Sequence, residues 1–222
     1  MNMNMYDFIF FDLDGTLTDS GPGIMNGFAY AIRKIEGRAS DPADLRRFVG
    51  PPLKDSFEKG LGYSPEETER AISFFREYYN GMGGRLENSV YPGIEDMLSG
   101  LKAAGKKLII ATSKGLRGTE MVLEHFGLRK YFDVLATAND TDRQDKPDVL
   151  RYAVSLCGVN DIRKAVMVGD RENDITAARN LEMDSIGVLY GYGDRKELTD
   201  AEATFLAASA AEVESLILNP RG

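Results

Sequence analysis

Asp12 and Asp14 stand one residue apart in Asp12-Leu13-Asp14-Gly15-Thr16, directly after the apolar run Phe8 to Phe11. The end of a buried parallel strand is the usual ligand crevice of open α/β folds. Neighbouring carboxylates there repel and lose hydration, a cost that a cation or a shared proton offsets. Asp-Gly alone signals no more than a turn. Three later segments add functional side chains of the same kind. Thr112-Ser113-Lys114 follows the run Leu108 to Ala111, and a hydroxyl with main-chain N–H groups at a strand-to-helix junction can cradle phosphate oxygens. Such residues also serve as plain helix caps. Lys146 precedes Pro147 at a helix start, where it can set a point charge on a phosphoryl group and offset carboxylate repulsion. Gly169-Asp170-Arg171-Glu172-Asn173-Asp174 follows Ala165 to Val168. A spacing of four at a helix start turns Asp170 and Asp174 to one side, although the helix dipole by itself would account for one of them.

Brought to one point, Asp12, Asp14, Asp170 and Asp174 with one lysine and one hydroxyl need a hard divalent cation. Oxygen ligands, a single cysteine (Cys157) and a single histidine (His125) select Mg²⁺ over Zn²⁺. A cation, a lysine and a hydroxyl at helix starts suit phosphoryl transfer, where catalysis is mostly positioning and charge stabilisation.

The elements that must position these residues are short apolar runs at Phe8 to Phe11, Leu108 to Ala111, Val134 to Ala136, Ala165 to Val168 and Ser185 to Val188, separated by helical patterns. This alternation predicts an α/β fold with a Rossmann-like, doubly wound parallel sheet covered by helices on both faces. Ile94, Met97, Leu98 and Leu101 place a helix from Gly93 to Leu101, ahead of the second run. Roughly a hundred residues separate the first two runs, where a simple crossover needs a few tens. The excess reads as helices at Gly21 to Ile35, Pro52 to Leu61 and Pro65 to Tyr79, with no strand-like alternation. The expected organisation is a core of residues 1–20 and 91–222 with an inserted α-helical cap at 21–90. The stripe Ala71, Phe74, Phe75, Tyr78 and Tyr79 is cap core, Cys157 a packing residue, and His125, within a helix Thr119 to Phe126, a surface or packing residue.

The motifs together resemble the haloacid dehalogenase superfamily, in its phosphoglycolate phosphatase-like and 5′-nucleotidase-like branch. The pattern DxDGT[LV]xDS is met by Asp12 to Ser20, the second motif by Thr112, the third by Lys146 and the GDxxxD fourth motif by Asp170 and Asp174. Tyr91-Pro92-Gly93 resembles the return hinge of the family's small cap. The resemblance implies Asp12 as nucleophile and Asp14 as acid and base. It implies Thr112, the Ser113 N–H and Lys146 as phosphoryl ligands, and Mg²⁺ on Asp12, the Asp14 carbonyl and Asp170. Asp174 joins that set or, from just outside it, fixes Lys146 or a metal-bound water. Gly50-Pro51-Pro52-Leu53-Lys54 resembles the specificity loop, with Lys54 as a candidate substrate contact. A sugar phosphomutase keeps the same aspartates and is the alternative. A binding module without turnover would have lost Asp12, Asp14 or Lys146, and all three are present.

Composition bounds the partners. The 222 residues are 43% hydrophobic, enough for a sizeable core, and carry a net charge of −8. An acidic excess opposes tracking of a nucleic-acid backbone, and small phosphate esters are the expected partners. No basic leader or apolar span is legible, so the expectation is a cytoplasmic protein away from membranes. Oligomeric state is not readable from these residues.

Overall fold

Phe8–Phe11 forms strand β1, buried on both faces: Ile9 and Phe11 enter one apolar layer and Phe10 the other. This period of two converts a continuous apolar run into a central strand. The computed structural model describes residues 6–139 and 141–219; residues 1–5 and 220–222, assigned above to the core, and Asp140 lie outside the described residues. Two compact units divide the chain, one of residues 1–18 with 90–222 and one of residues 19–89.

In the first unit the helices and strands that follow are α4 (Ile94–Ala103), β4 (Lys107–Gly115), α5 (Leu116–His125), β5 (Val134–Ala138), α6 (Lys146–Cys157), β6 (Ala165–Gly169), α7 (Glu172–Arg179), β7 (Asp184–Val188), α8 (Arg195–Asp200), β8 (Phe205–Ala207) and α9 (Ala210–Leu218). The sheet order is β5-β4-β1-β6-β7-β8, all parallel. β1 pairs with β4 from Phe8 opposite Lys107 to Phe11 opposite Ile110, and with β6 from Phe8 opposite Ala165 to Phe11 opposite Val168. Chain order therefore leaves β1 in one direction and returns in the other. The crevice at such a switch point lies at the carboxyl ends of β1, β4 and β6. One face is filled by Leu98, Leu101, Leu108, Ile110, Val122 and Ile217, the other by Ile109, Val149, Leu150, Met167 and Ala177.

The second unit contains α1 (Gly21–Glu36), α2 (Leu53–Asp55) and α3 (Pro65–Arg76), and the chain passes in and out of it through the paired strands β2 (Thr18–Asp19) and β3 (Ser89–Val90). Phe28, fully buried, centres its core, with ring centroids 5.1 Å from Phe48, 4.8 Å from Phe57 and 5.2 Å from Phe75. Gly27 lets α1 approach, because a Cβ there would stand 2.8 Å from the Phe75 ring. A capping box opens α3: Ser64 Oγ accepts from Glu67 N, and the Glu67 carboxylate accepts from Ser64 N.

Several expected boundaries move. The helix expected over Pro52 to Leu61 is the short α2 followed by a wide π-type turn, Ser56–Gly60, and that over Pro65 to Tyr79 ends at Arg76 before a second one, Glu77–Gly81. Each turn ends on a glycine and carries a buried aromatic, Phe57 or Tyr79, so local widening serves packing. Strand β4 continues through Thr112-Ser113-Lys114 to Gly115, with its pairing to β5 shifted between Thr112 and Gly115. β8, three residues on the sheet edge and half-buried, is too short to show a pattern. No helix among the described residues is long and apolar enough to cross a membrane.

Removal of the Phe28 ring should leave a cavity between three other aromatic rings. Phe28→Ala is expected to cost about 3–5 kcal/mol in urea unfolding, whereas the exposed His125→Ala should change stability by less than about 0.5 kcal/mol.

Candidate active site

Asp12 is the first residue past β1, and its N–H donates to Val168 O at 3.0 Å, so the backbone of β6 sets its height. Lys146 opens α6 behind the N-cap Asp145, whose carboxylate accepts from Asp148 N. Its Nζ donates to Asp12 Oδ1 at 2.6 Å and to Ala111 O at 2.9 Å, and pairs with Asp174 Oδ1 at 2.8 Å. One ammonium thus ties together the exits of β1 and β4 and the start of α7. Asp174 is the third residue of α7, and its Oδ2 accepts from Arg171 N at 3.1 Å.

Asp170, fully buried, follows β6. Thr16 Oγ1 donates to its Oδ1 at 3.2 Å and Tyr192 N to its Oδ2 at 2.9 Å. Gly15 sits at φ +86°, and a Cβ there would overlap the Asp170 carboxylate; a Cβ at Gly191 would overlap it too. Tyr190 OH donates to Thr16 O at 3.1 Å, which joins the 190–192 loop to the turn after β1.

Of the residues singled out in the sequence, Asp12, Asp170, Asp174 and Lys146 come together, while Asp14 and Thr112 meet Lys114 instead. Carboxylate oxygens of Asp12, Asp170 and Asp174 lie within 4.8 Å of one another, and all three residues are buried. Asp14 directs its Oδ2 to Lys114 Nζ, 2.6 Å away. Thr112 is buried, with Oγ1 accepting from Lys114 N at 3.2 Å; it lies inside β4 and the cap of α5 is Gly115, so Thr112 is no helix cap. Ser113 is exposed. Lys54 belongs to the other unit, on α2, with its side chain 70% exposed and its Nζ 3.9 Å from Glu58. His125 is a surface residue, and Cys157 packs half-buried against the second apolar layer. Thr16, Lys114 and Tyr192 have roles here that spacing did not reveal. The Gly191-Tyr192-Gly193 alternation was the one available signal.

Two of the three buried carboxylates, Asp12 and Asp174, pair with the one buried ammonium of Lys146, and Asp170 lies beside them. Burial raises Asp12 from the ordinary 3.8 to about 6; Lys146 pulls it down and Asp174 pushes it up. Asp170 rises to about 8, by burial first and then by repulsion from Asp174 and Asp12. Burial alone would depress Lys146, yet Asp12 and Asp174 hold it above the ordinary lysine range. A buried, all-oxygen cluster with excess negative charge fits a hard cation such as Mg²⁺.

The sequence profile of the haloacid dehalogenase-like hydrolases matches residues 9–188. The chain belongs to this family. Within it, the chain is 37% identical over 210 residues to the tyrosine-protein kinase PtkA of Mycobacterium tuberculosis, covering 94% of this chain and 70% of that protein. It is 31% identical to a 5′-nucleotidase of Pseudomonas aeruginosa, covering 96% of each. Among solved structures, a predicted phosphatase from Clostridium acetobutylicum superposes with a TM-score of 0.88 at 40% identity, covering 96% of this chain and 99% of that one. The family and the doubly wound α/β core expected from sequence are both borne out.

The raised carboxyls give this haloacid dehalogenase-like hydrolase a defined pH response without metal. From about 4 up to about 6 for Asp12, and up to about 8 for Asp170, the folded protein retains protons that the unfolded chain has released. Their contribution to stability therefore falls as pH rises. In EDTA, the difference in Tm between wild type and Asp170→Asn should shift against the wild type from pH 5 to pH 8. Mg²⁺ should raise the wild-type Tm more at pH 8 than at pH 5. A Mg²⁺ effect larger at pH 5 would contradict this reading of the cluster.

Proposed function

We propose that the chain hydrolyses small phosphate monoesters, of the phosphoglycolate or nucleoside 5′-monophosphate type, with Mg²⁺ as cofactor and Asp12 as covalent nucleophile. The observation that carries this reading is the convergence of Asp12, Asp170 and Asp174 on one another at the carboxyl ends of β1 and β6, with Lys146 bound to Asp12 and Asp174. Family membership supports the same class, a phosphoric monoester hydrolase.

In the first step a carboxylate oxygen of Asp12 attacks phosphorus while the phosphorus–oxygen bond to the leaving group breaks and Asp14 gives that oxygen its proton. In the second, water attacks the aspartyl-phosphate, its proton passes to Asp14, and Asp12 departs as a carboxylate. The sum is ester plus water giving alcohol plus phosphate. Lys146, with the Thr112 hydroxyl and the Ser113 N–H, holds the phosphoryl oxygens. When bound by the carboxylates of Asp12 and Asp170 and the main-chain carbonyl of Asp14, Mg²⁺ offsets their charge and that of the transferring group. Asp174 has one oxygen on Lys146 and the other on Arg171 N, which favours support of Lys146 over direct metal ligation. The inserted residues 21–90 serve as a cap that sets substrate choice, with Lys54 as a substrate contact.

A second reading, phosphoryl transfer to an acceptor other than water, is favoured by the 37% identity to a tyrosine-protein kinase; a sugar phosphomutase falls in the same class. The aspartates stay the same, and the acceptor of the second step differs.

The test is phosphate release from phosphoglycolate, nucleoside 5′-monophosphates, sugar phosphates and pyrophosphate. Release is expected with Mg²⁺ and not with EDTA, and Asp12→Asn should abolish it. Retained turnover in Asp12→Asn would sink the covalent route. A phospho-enzyme that passes its phosphoryl group to a tyrosine or a sugar faster than to water would establish the second reading. Lys54→Ala should raise KM several-fold and spare kcat; an unchanged KM removes Lys54 from the site.

A further inference from the structure

Lys114 ends the Thr112-Ser113-Lys114 segment with no role of its own assigned from sequence, and its side chain is 10% exposed although it carries a charge. It reaches back across the crevice from the end of β4 to Asp14, a hundred residues earlier, at 2.6 Å. The segment that carries it is held at two further points. Thr112 Oγ1 accepts from Lys114 N at 3.2 Å, and the fully buried Thr119 donates through Oγ1 to Gly115 O, also at 3.2 Å. The pairing of β4 with β5 shifts over this stretch, which lets the strand end turn toward the exit of β1. Lys114 binds Asp14 through Oδ2; Oδ1 is buried and has no hydrogen-bond partner among the described residues. A carboxylate anchored by one oxygen and unpartnered at the other keeps a single oxygen for the proton.

We infer that Lys114 is a positioning residue: it fixes Asp14 through Oδ2 so that Oδ1 is the oxygen that exchanges the proton with the leaving group and with water. The inference rests on the phosphatase reading above and adds to it the residue that aims the acid. Bound this way, Asp14 stands apart from the Asp12, Asp170 and Asp174 cluster, so proton transfer is kept separate from the nucleophile and the charged pair beside it.

The test separates aiming from folding and from substrate binding by varying the leaving group. Wild type, Lys114→Met and Lys114→Arg are assayed with Mg²⁺ on p-nitrophenyl phosphate, whose leaving group departs without a proton, and on the alkyl phosphate best hydrolysed by wild type. The quantity compared is kcat/KM, which runs only as far as release of the leaving group. Lys114→Met should lose about 10- to 100-fold on the alkyl ester and less than about 3-fold on the aryl ester, with Lys114→Arg restoring most of the alkyl rate. Lys114→Gln replaces Lys114→Met if circular dichroism shows that variant unfolded. An equal loss on both esters overturns the inference, because a structural or substrate-binding role does not depend on the leaving group. A wild type that releases no phosphate from either ester overturns the phosphatase reading and the inference with it; an active wild type with equal losses overturns the inference alone.

Discussion

Asp12, Asp170 and Asp174 are gathered and buried at the strand ends, and carboxylates so placed repel and lose hydration at a cost of several kcal/mol each. Lys146 answers part of that cost from the first position of α6, touching Asp12, Asp174 and the carbonyl of Ala111. Much of the core can be understood from this one unfavourable meeting. The sheet order puts the exits of β1, β4 and β6 side by side, the proline after Lys146 fixes where α6 begins, and the remaining negative charge is left for a cation to balance.

Tight backbone approach is the second consequence. Asp170 can be buried because Gly15 and Gly191 present no side chain to it and because Thr16 and Tyr192 N donate to its two oxygens. Gly15 does so at a positive φ that an L side chain rarely adopts. The loop after β7 is thereby part of the site, although none of its side chains supplies a carboxylate to the cluster. A charge held this firmly costs little reorganisation when a phosphoryl group arrives, which is the physical content of preorganisation.

The inserted unit obeys different physics. Its centre is a cluster of aromatic rings around Phe28, and its helices are closed by wide turns that bring Phe57 and Tyr79 inward. Among the described residues the buried charged side chains, Asp12, Lys106, Lys146, Asp170 and Asp174, all lie in the core, and the insert is held by apolar and aromatic packing.

The amino-acid order by itself determined the runs that become β1, β4, β5, β6 and β7, the helical character of the insert, and the three aspartates and the lysine that meet at the strand ends. Each of these is a local signal, an apolar period or a charged residue directly after one. Tertiary structure alone decided the rest. Lys114 meets Asp14 across a hundred residues, Tyr192 N reaches Asp170 across twenty-two, and β8 exists because β7 offers it an edge. Such pairings depend on which strand ends become neighbours, and that is set by sheet order and register, quantities that no single stretch of the chain encodes.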